Sequence, residues 1–350
     1  MKIFSKKVRT VFGGLCIAMF LFSPSVAFAL KFKHIIAFGD SLSDYNNLHT
    51  YFPDEVPVAR TNGATWVMYL ADEFNAITLD NNAFIGAMTS KHLYDDIQTL
   101  SDSEAVPQFG FVSQVDRFIS ENRPFEPSET LFTVCIGGNN LIRFGMENEN
   151  NPTADPTPMI QSAMADIGYA FNKLLEVGAM HIAVLTVPDP GKAPYYNWRT
   201  EMEIIGSSLL ASSYNQAMLT TVKQVVSIKP DVTIYEFDMF QIVDDIIEKE
   251  IFPNIAGSYM KLDDEFYALT ETNGPAEDYL FYDSVHPTTK AHEYFAIEVA
   301  QEVMFHGYVT QQELDNAVLD ERMKWDMKND NRIGIEEAIQ ALKTCSGMPH

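Results

Sequence analysis

Short apolar runs separated by helical stretches constrain this chain more than any other feature. Residues 32–38 (FKHIIAF) form the first run, and Gly39 stops it. Residues 130–136, 180–187 and 232–237 repeat the pattern. Residues 65–74, 158–177 and 201–226 carry apolar side chains at helical spacing, and 288–304 reads as a closing helix. Runs that are apolar throughout, not alternately, suit strands buried on both faces. Strands alternating with long helices predict an α/β fold with a parallel sheet covered on both sides. In such sheets ligands bind beyond the carboxyl ends of the strands. Three segments are expected there: 39–44, 137–140 and 283–286.

The 350 residues are 46% hydrophobic, enough for one large domain, or one with a small appendage. The first residues stand apart. Lys2, Lys6, Lys7 and Arg9 precede an apolar run over 11–22, then Ser23-Pro24 and the small-x-small triplet Ala27-Phe28-Ala29. That order predicts a signal peptide over 1–29, cleaved after Ala29. The run is short of the ~20 residues a membrane span needs. The expected location is therefore secreted or periplasmic. Cleavage leaves 20 basic against 48 acidic side chains, a formal charge of about −28. Such a surface excludes nucleic acid as a partner and disfavours electrostatic docking on anionic membranes. Of the cysteines, Cys135 and Cys345 remain, too few for a disulfide scaffold.

Gly39-Asp40-Ser41-Leu42 follows a strand, so Ser41 is expected at the sheet edge, with its N–H at a helix N-terminus. Serine needs a base to act as a nucleophile; otherwise Ser41 is an ordinary helix cap. Asp283-Ser284-Val285-His286-Pro287 places a carboxylate three residues before a histidine. An Asp in one loop with a His can hold its tautomer and orientation.

With these blocks in order, the chain resembles the GDSL lipase family of the SGNH hydrolase superfamily. The resemblance covers roughly 32–305. It rests on Phe38-Gly39-Asp40-Ser41-Leu42-Ser43-Asp44, on Asn81-Asn82-Ala83-Phe84-Ile85-Gly86-Ala87 with its lead-in Asn62-Gly63-Ala64-Thr65-Trp66, on Ile136-Gly137-Gly138-Asn139-Asn140, and on Asp283 to Pro287. It implies a three-layer α/β/α fold whose five parallel strands follow flavodoxin-like order. It implies Ser41 as nucleophile, His286 as base and Asp283 as its orienter. The Ser41 and Gly86 N–H groups and the Asn139 side chain would form the oxyanion hole, and no cofactor is needed for catalysis. Two positions depart from the pattern: Asn140 replaces Asp, and Asn46 stands where a glycine is usual.

The expected domains are the signal peptide, a hydrolase domain over 30–307, and a helical extension over 308–350. In the extension, 326–337 is similar to an EF-hand loop. Asp326, Asp330 and Glu337 fall at ligand positions one, five and twelve, so calcium is the candidate ion. Lys328 replaces a ligand at position three, and a plain helix–loop–helix cap is the alternative.

Within the family the blocks look most like bacterial secreted phospholipase A, lysophospholipase and haemolysin-type members. The expected activity is serine acyl-ester hydrolysis on an acyl-ester or lipid substrate, with transient contact with a membrane or lipid aggregate. An acyltransferase passing the acyl group to a sterol or other alcohol shares the same intermediate, and a carbohydrate acetyl-esterase is a further variant. A catalytically dead binding protein is the reading from another class.

Overall fold

The computed structural model describes residues 32–94, 108–149, 151, 153–263 and 268–305. The signal-peptide segment, Cys345, and Asp326, Asp330 and Glu337 lie outside these residues. Met1–Ala300 form one compact unit and Gln301–His350 a second.

The sheet contains β1 (His34–Gly39), β2 (Thr78–Asn81), β3 (Thr130–Cys135), β4 (His181–Leu185) and β5 (Thr233–Phe237). Its order is β2-β1-β3-β4-β5, and every neighbouring pair is parallel. This is the flavodoxin-like order the family resemblance implies. The three central strands are the continuous apolar runs, and β3 is buried along its whole length. The edge strand β2 reads Thr-Leu-Asp-Asn and is half-exposed. It carries no continuous apolar run.

The helices are α1 (Asn47–Tyr51), α2 (Trp66–Glu73), α3 (Phe111–Ser120), α4 (Gly138–Glu147), α5 (Thr157–Glu176), α6 (Glu201–Val226), α7 (Met239–Glu248) and α8 (Thr289–Phe305). One face of the sheet buries Phe38, Phe132, Val134 and Ile182 against Phe111 and Val115 of α3, Ile167 and Phe171 of α5, and Tyr214 and Met218 of α6. On the other side α2 packs on β1 and β2. There Phe32 meets Phe74 and Tyr235 edge-to-face, at 5.7 and 6.3 Å. Area burial of such rings is worth about 2 kcal/mol each. The helices thus make three layers with the sheet between them.

Beyond β5 the chain adds two small sheets that the apolar pattern does not reveal. β6 (Asn254–Ser258) pairs with β9 (Tyr279–Phe281), and β7 (Met260–Leu262) with β8 (Ala268–Thr272). The first pair leads the chain into the loop that carries Asp283 and His286. Among the described residues no helix is long and apolar enough to cross a membrane.

Candidate active site

Ser41 lies in a turn just after β1. The Asp40 carbonyl accepts the N–H groups of both Ser43 (3.0 Å) and Asp44 (2.9 Å), which closes the turn. The helix expected at this point begins only at Asn47. The reason is local: Asp44 turns its carboxylate onto the N–H groups of Asn47 (2.9 Å) and Leu48 (3.3 Å) and starts the helix there. Ser41 is therefore not a helix cap, and its side chain is largely buried.

The Ser41 Oγ lies 2.9 Å from His286 Nε2. His286 Nδ1 lies 2.9 Å from both carboxylate oxygens of Asp283. Asp283 Oδ1 also accepts the N–H groups of Val285 (3.0 Å) and His286 (2.8 Å). Burial raises the Asp283 carboxyl, but the charge and ring N–H of His286 and the two backbone donors outweigh it. They hold its pKa below the ordinary value. A carboxylate that stays ionised keeps the imidazole proton on Nδ1, leaving Nε2 free to accept one from Ser41.

Three segments that follow adjacent strands meet here: the turn with Ser41 after β1, the loop with Gly86 after β2, and the first turn of α4 with Asn139 after β3. Asn139 donates from Nδ2 to the carbonyl of Ala87, next to Gly86, at 3.0 Å. That amide nitrogen carries a second hydrogen. Among the described residues the N–H groups of Ser41 and Gly86 have no hydrogen-bond acceptor. Gly86 has φ 77°, a conformation that side chains resist. Gly137, with φ 121°, starts α4, and a Cβ there would run into the Tyr214 hydroxyl.

The two departures from the family pattern have physical counterparts. Asn46 sits at φ 71°, where glycine is at ease and asparagine is tolerated. Asn140 accepts the Thr89 N–H (3.1 Å) and donates to Thr89 Oγ1 (3.0 Å), which in turn donates to Asp166 (3.1 Å). A second carboxylate at position 140 would compete with Asp166 for that single hydroxyl proton.

Gln114 lies outside every motif, and the supporting roles of Asp44, Trp66 and Asn62 are not visible in the motifs that contain them. Asp44 Oδ2 accepts the Ile85 N–H at 2.7 Å and ties the Ser41 turn to the Gly86 loop. Gln114 of α3 accepts from the Gly39 N–H (3.0 Å) and donates to the Gly39 carbonyl (2.8 Å). Trp66 donates from Nε1 to Ser43 Oγ at 3.0 Å, and Asn62 accepts the Thr289 N–H at 3.0 Å. The lead-in block therefore clamps the start of α8 behind His286. Under the site, burial pushes the Asp40 carboxyl up to about 6, against the Leu42 N–H and the charge of His286. Burial also raises the Cys135 thiol well above its usual value, in keeping with an inert core cysteine.

A family model described as GDSL-like lipase/acylhydrolase matches residues 35–299. The chain belongs to that family. It is similar to the phosphatidylcholine-sterol acyltransferase of Aeromonas hydrophila, 25% identical over 201 residues, which are 55% of either chain. It is also similar to the thermolabile hemolysin of Vibrio parahaemolyticus, 23% identical over 286 residues, 76% of this chain and 62% of that one. The chain thus matches little more than half the length of these relatives. Among solved structures it is similar to phospholipase A1 from Streptomyces albidoflavus, at 14% identity and TM-score 0.40, with 77% of this chain and 98% of that one covered.

Proposed function

We propose that this chain hydrolyses lipid esters through an acyl-enzyme on Ser41. The observation that carries the reading is the 2.9 Å contact between Ser41 Oγ and His286 Nε2, with Asp283 on the far ring nitrogen. His286 takes the Ser41 proton as Oγ attacks the acyl carbonyl. The oxyanion that forms faces the N–H groups of Ser41 and Gly86 and the Asn139 amide, each donor worth about 3 kcal/mol. His286 returns the proton to the leaving alcohol, and the acyl group stays on Ser41. A water then gives its proton to His286 as it attacks the acyl-enzyme; the acyl–Oγ bond breaks, His286 returns that proton to Ser41 Oγ, and the acid is released. No step requires a cofactor.

A lipid acyl group is favoured by the relatives, one named for phosphatidylcholine and one for haemolysis. The first also supports a second reading, in which an alcohol such as a sterol replaces water as acceptor. Export after cleavage at Ala29 completes the proposal, with residues 30–307 as the hydrolase domain and 308–350 as an appendage. The calcium loop of Asp326, Asp330 and Glu337 stays a proposal of the same kind, tested by calorimetric titration.

The test is a panel of acyl esters and lysophospholipids, with and without an alcohol acceptor, for native chain and Ser41→Ala. Loss of both turnover and fluorophosphonate labelling in the variant is expected. Undiminished turnover in Ser41→Ala overturns the proposal, and acyl transfer exceeding release of free acid selects the second reading.

A further inference from the structure

The amino end of α6 projects past the sheet edge that holds the site. Tyr214 of α6 lies against Gly137, at the carboxyl end of β3. Glu201 begins the helix thirteen residues earlier, about 20 Å at the usual rise per residue. A capping box secures this end: Glu203 N–H donates to Thr200 Oγ1 (3.3 Å), and Thr200 N–H donates to Glu203 (2.8 Å). The preceding segment is joined to the site, since the Tyr195 N–H donates to the Ser284 carbonyl at 2.9 Å, between Asp283 and His286.

This projecting end exposes large apolar side chains. Met202, Ile205 and Leu209 recur on one helical face and are 80, 51 and 63% exposed; Trp198, just before the cap, is 77% exposed. A contiguous apolar stripe of this kind is uncommon on a surface without a partner. Its charge is as unusual as its polarity. Residues 204–222 contain no charged side chain, in a chain of net charge −24. The exposed charges at its start are the Glu201 and Glu203 carboxylates, and the one nearby cation, Arg199, is paired with Glu149 and Glu203. These two carboxylates repel an anionic surface and attract the quaternary ammonium of a zwitterionic headgroup.

We propose that Trp198, Met202, Ile205 and Leu209 dock the protein on a zwitterionic lipid surface, beside the loop that carries His286. The docking rests on the lipid-ester reading above and deepens it. Apolar side chains enter the headgroup boundary, Trp198 keeps its indole N–H at the wet level, and the lipid need not cross bulk water to reach Ser41.

The test compares the full native chain with the triple variant Met202→Ser, Ile205→Ser, Leu209→Ser and with Trp198→Ala. Flotation uses vesicles of ether-linked phosphatidylcholine, which carry no acyl ester, and the same vesicles with ether-linked phosphatidylglycerol added. Turnover of a water-soluble short-chain ester and circular dichroism establish that each variant is folded. Partition to the zwitterionic vesicles is expected to fall at least tenfold in the triple variant, with soluble-ester turnover unchanged. Native partition is expected to weaken as phosphatidylglycerol is added. Equal partition of native and triple variant overturns the proposal, as does stronger native binding to the anionic vesicles. A native dimer that the triple variant dissociates, with no flotation by either, overturns it in favour of self-association. Absence of Ser41-dependent ester turnover defeats the lipid-ester reading, and the flotation result is read separately from it.

Discussion

Asp44 accepts the backbone N–H of Ile85 at 2.7 Å. The turn bearing Ser41 and the loop bearing Gly86 are thereby one hydrogen-bonded unit. The same carboxylate also takes the N–H groups of Asn47 and Leu48. Asp44→Ala leaves three backbone donors without this acceptor. It is expected to lower stability by at least about 2 kcal/mol in denaturant unfolding. The Gly86 loop then drifts from Ser41, and ester turnover is expected to drop ~10²-fold at saturating substrate. Native-like turnover in a measurably destabilised variant would show that the bond serves folding alone.

Asp283 presents one carboxylate to the ring and to two backbone donors. Asp283→Asn keeps the shape but offers an amide hydrogen where the imidazole N–H needs an acceptor. A loss on the order of 10⁴-fold in kcat is expected, the scale seen when a serine triad's orienting acid becomes an amide. Asn139→Ala removes one proposed oxyanion donor, and kcat is expected to fall ~10²–10³-fold with KM little changed. Steady-state kinetics on a soluble ester measure both. A fall confined to KM in either variant would assign the residue to substrate binding.

His292 of α8 is buried, and neither ring nitrogen has a hydrogen-bond partner among the described residues. Burial, helped by the charge of His286, lowers its pKa from 6.5 to about 3. The unfolded chain takes up a proton as pH falls through 6.5, while the folded chain does not until about 3. Its contribution to stability is therefore lost progressively between those values, at about 1.4 kcal/mol per pH unit. His292→Leu removes this loss. Between pH 7.5 and pH 5 the variant is expected to lose about 2 kcal/mol less than the native chain. Chemical unfolding at the two pH values decides it; parallel losses would mean that the ring is protonated in the fold.

Asn46 holds a left-handed conformation at φ 71°. Asn46→Ala is expected to destabilise by about 1 kcal/mol, because an ordinary side chain is strained there. Asn46→Gly is expected to stay within a few tenths of the native value, the penalty of asparagine and the greater freedom of unfolded glycine nearly cancelling. Urea midpoints of the three proteins give the ranking, and an alanine variant as stable as native would contradict it.

The parts of the molecule legible in the sequence are those with a local signature. β1, β3 and β4 are apolar throughout because helices cover both faces, and that burial is written residue by residue. β2 pairs along one edge only, so Thr78 to Asn81 need no apolar run. The positions of Ser41 and His286 stand out through short motifs, although they lie 245 positions apart. The clamps by Asp44 and Gln114 do not stand out, because a buried carboxylate or amide reads like any other polar residue until its partners are known. The helix expected at Ser41 begins later because the Asp44 side chain sets its start. The projecting end of α6 has the apolar period of a core helix, and exposure alone distinguishes the two.

The sequence separation of 245 between Ser41 and His286 also orders events in time. Synthesis delivers Ser41, the Gly86 loop and Asn139 within the first 140 residues, and His286, the proposed base, only near the end. The Thr289 N–H must then find Asn62 before that last segment is seated. A chain still emerging therefore has Ser41 without the His286 imidazole, and on the proposed mechanism it cannot yet turn over an ester.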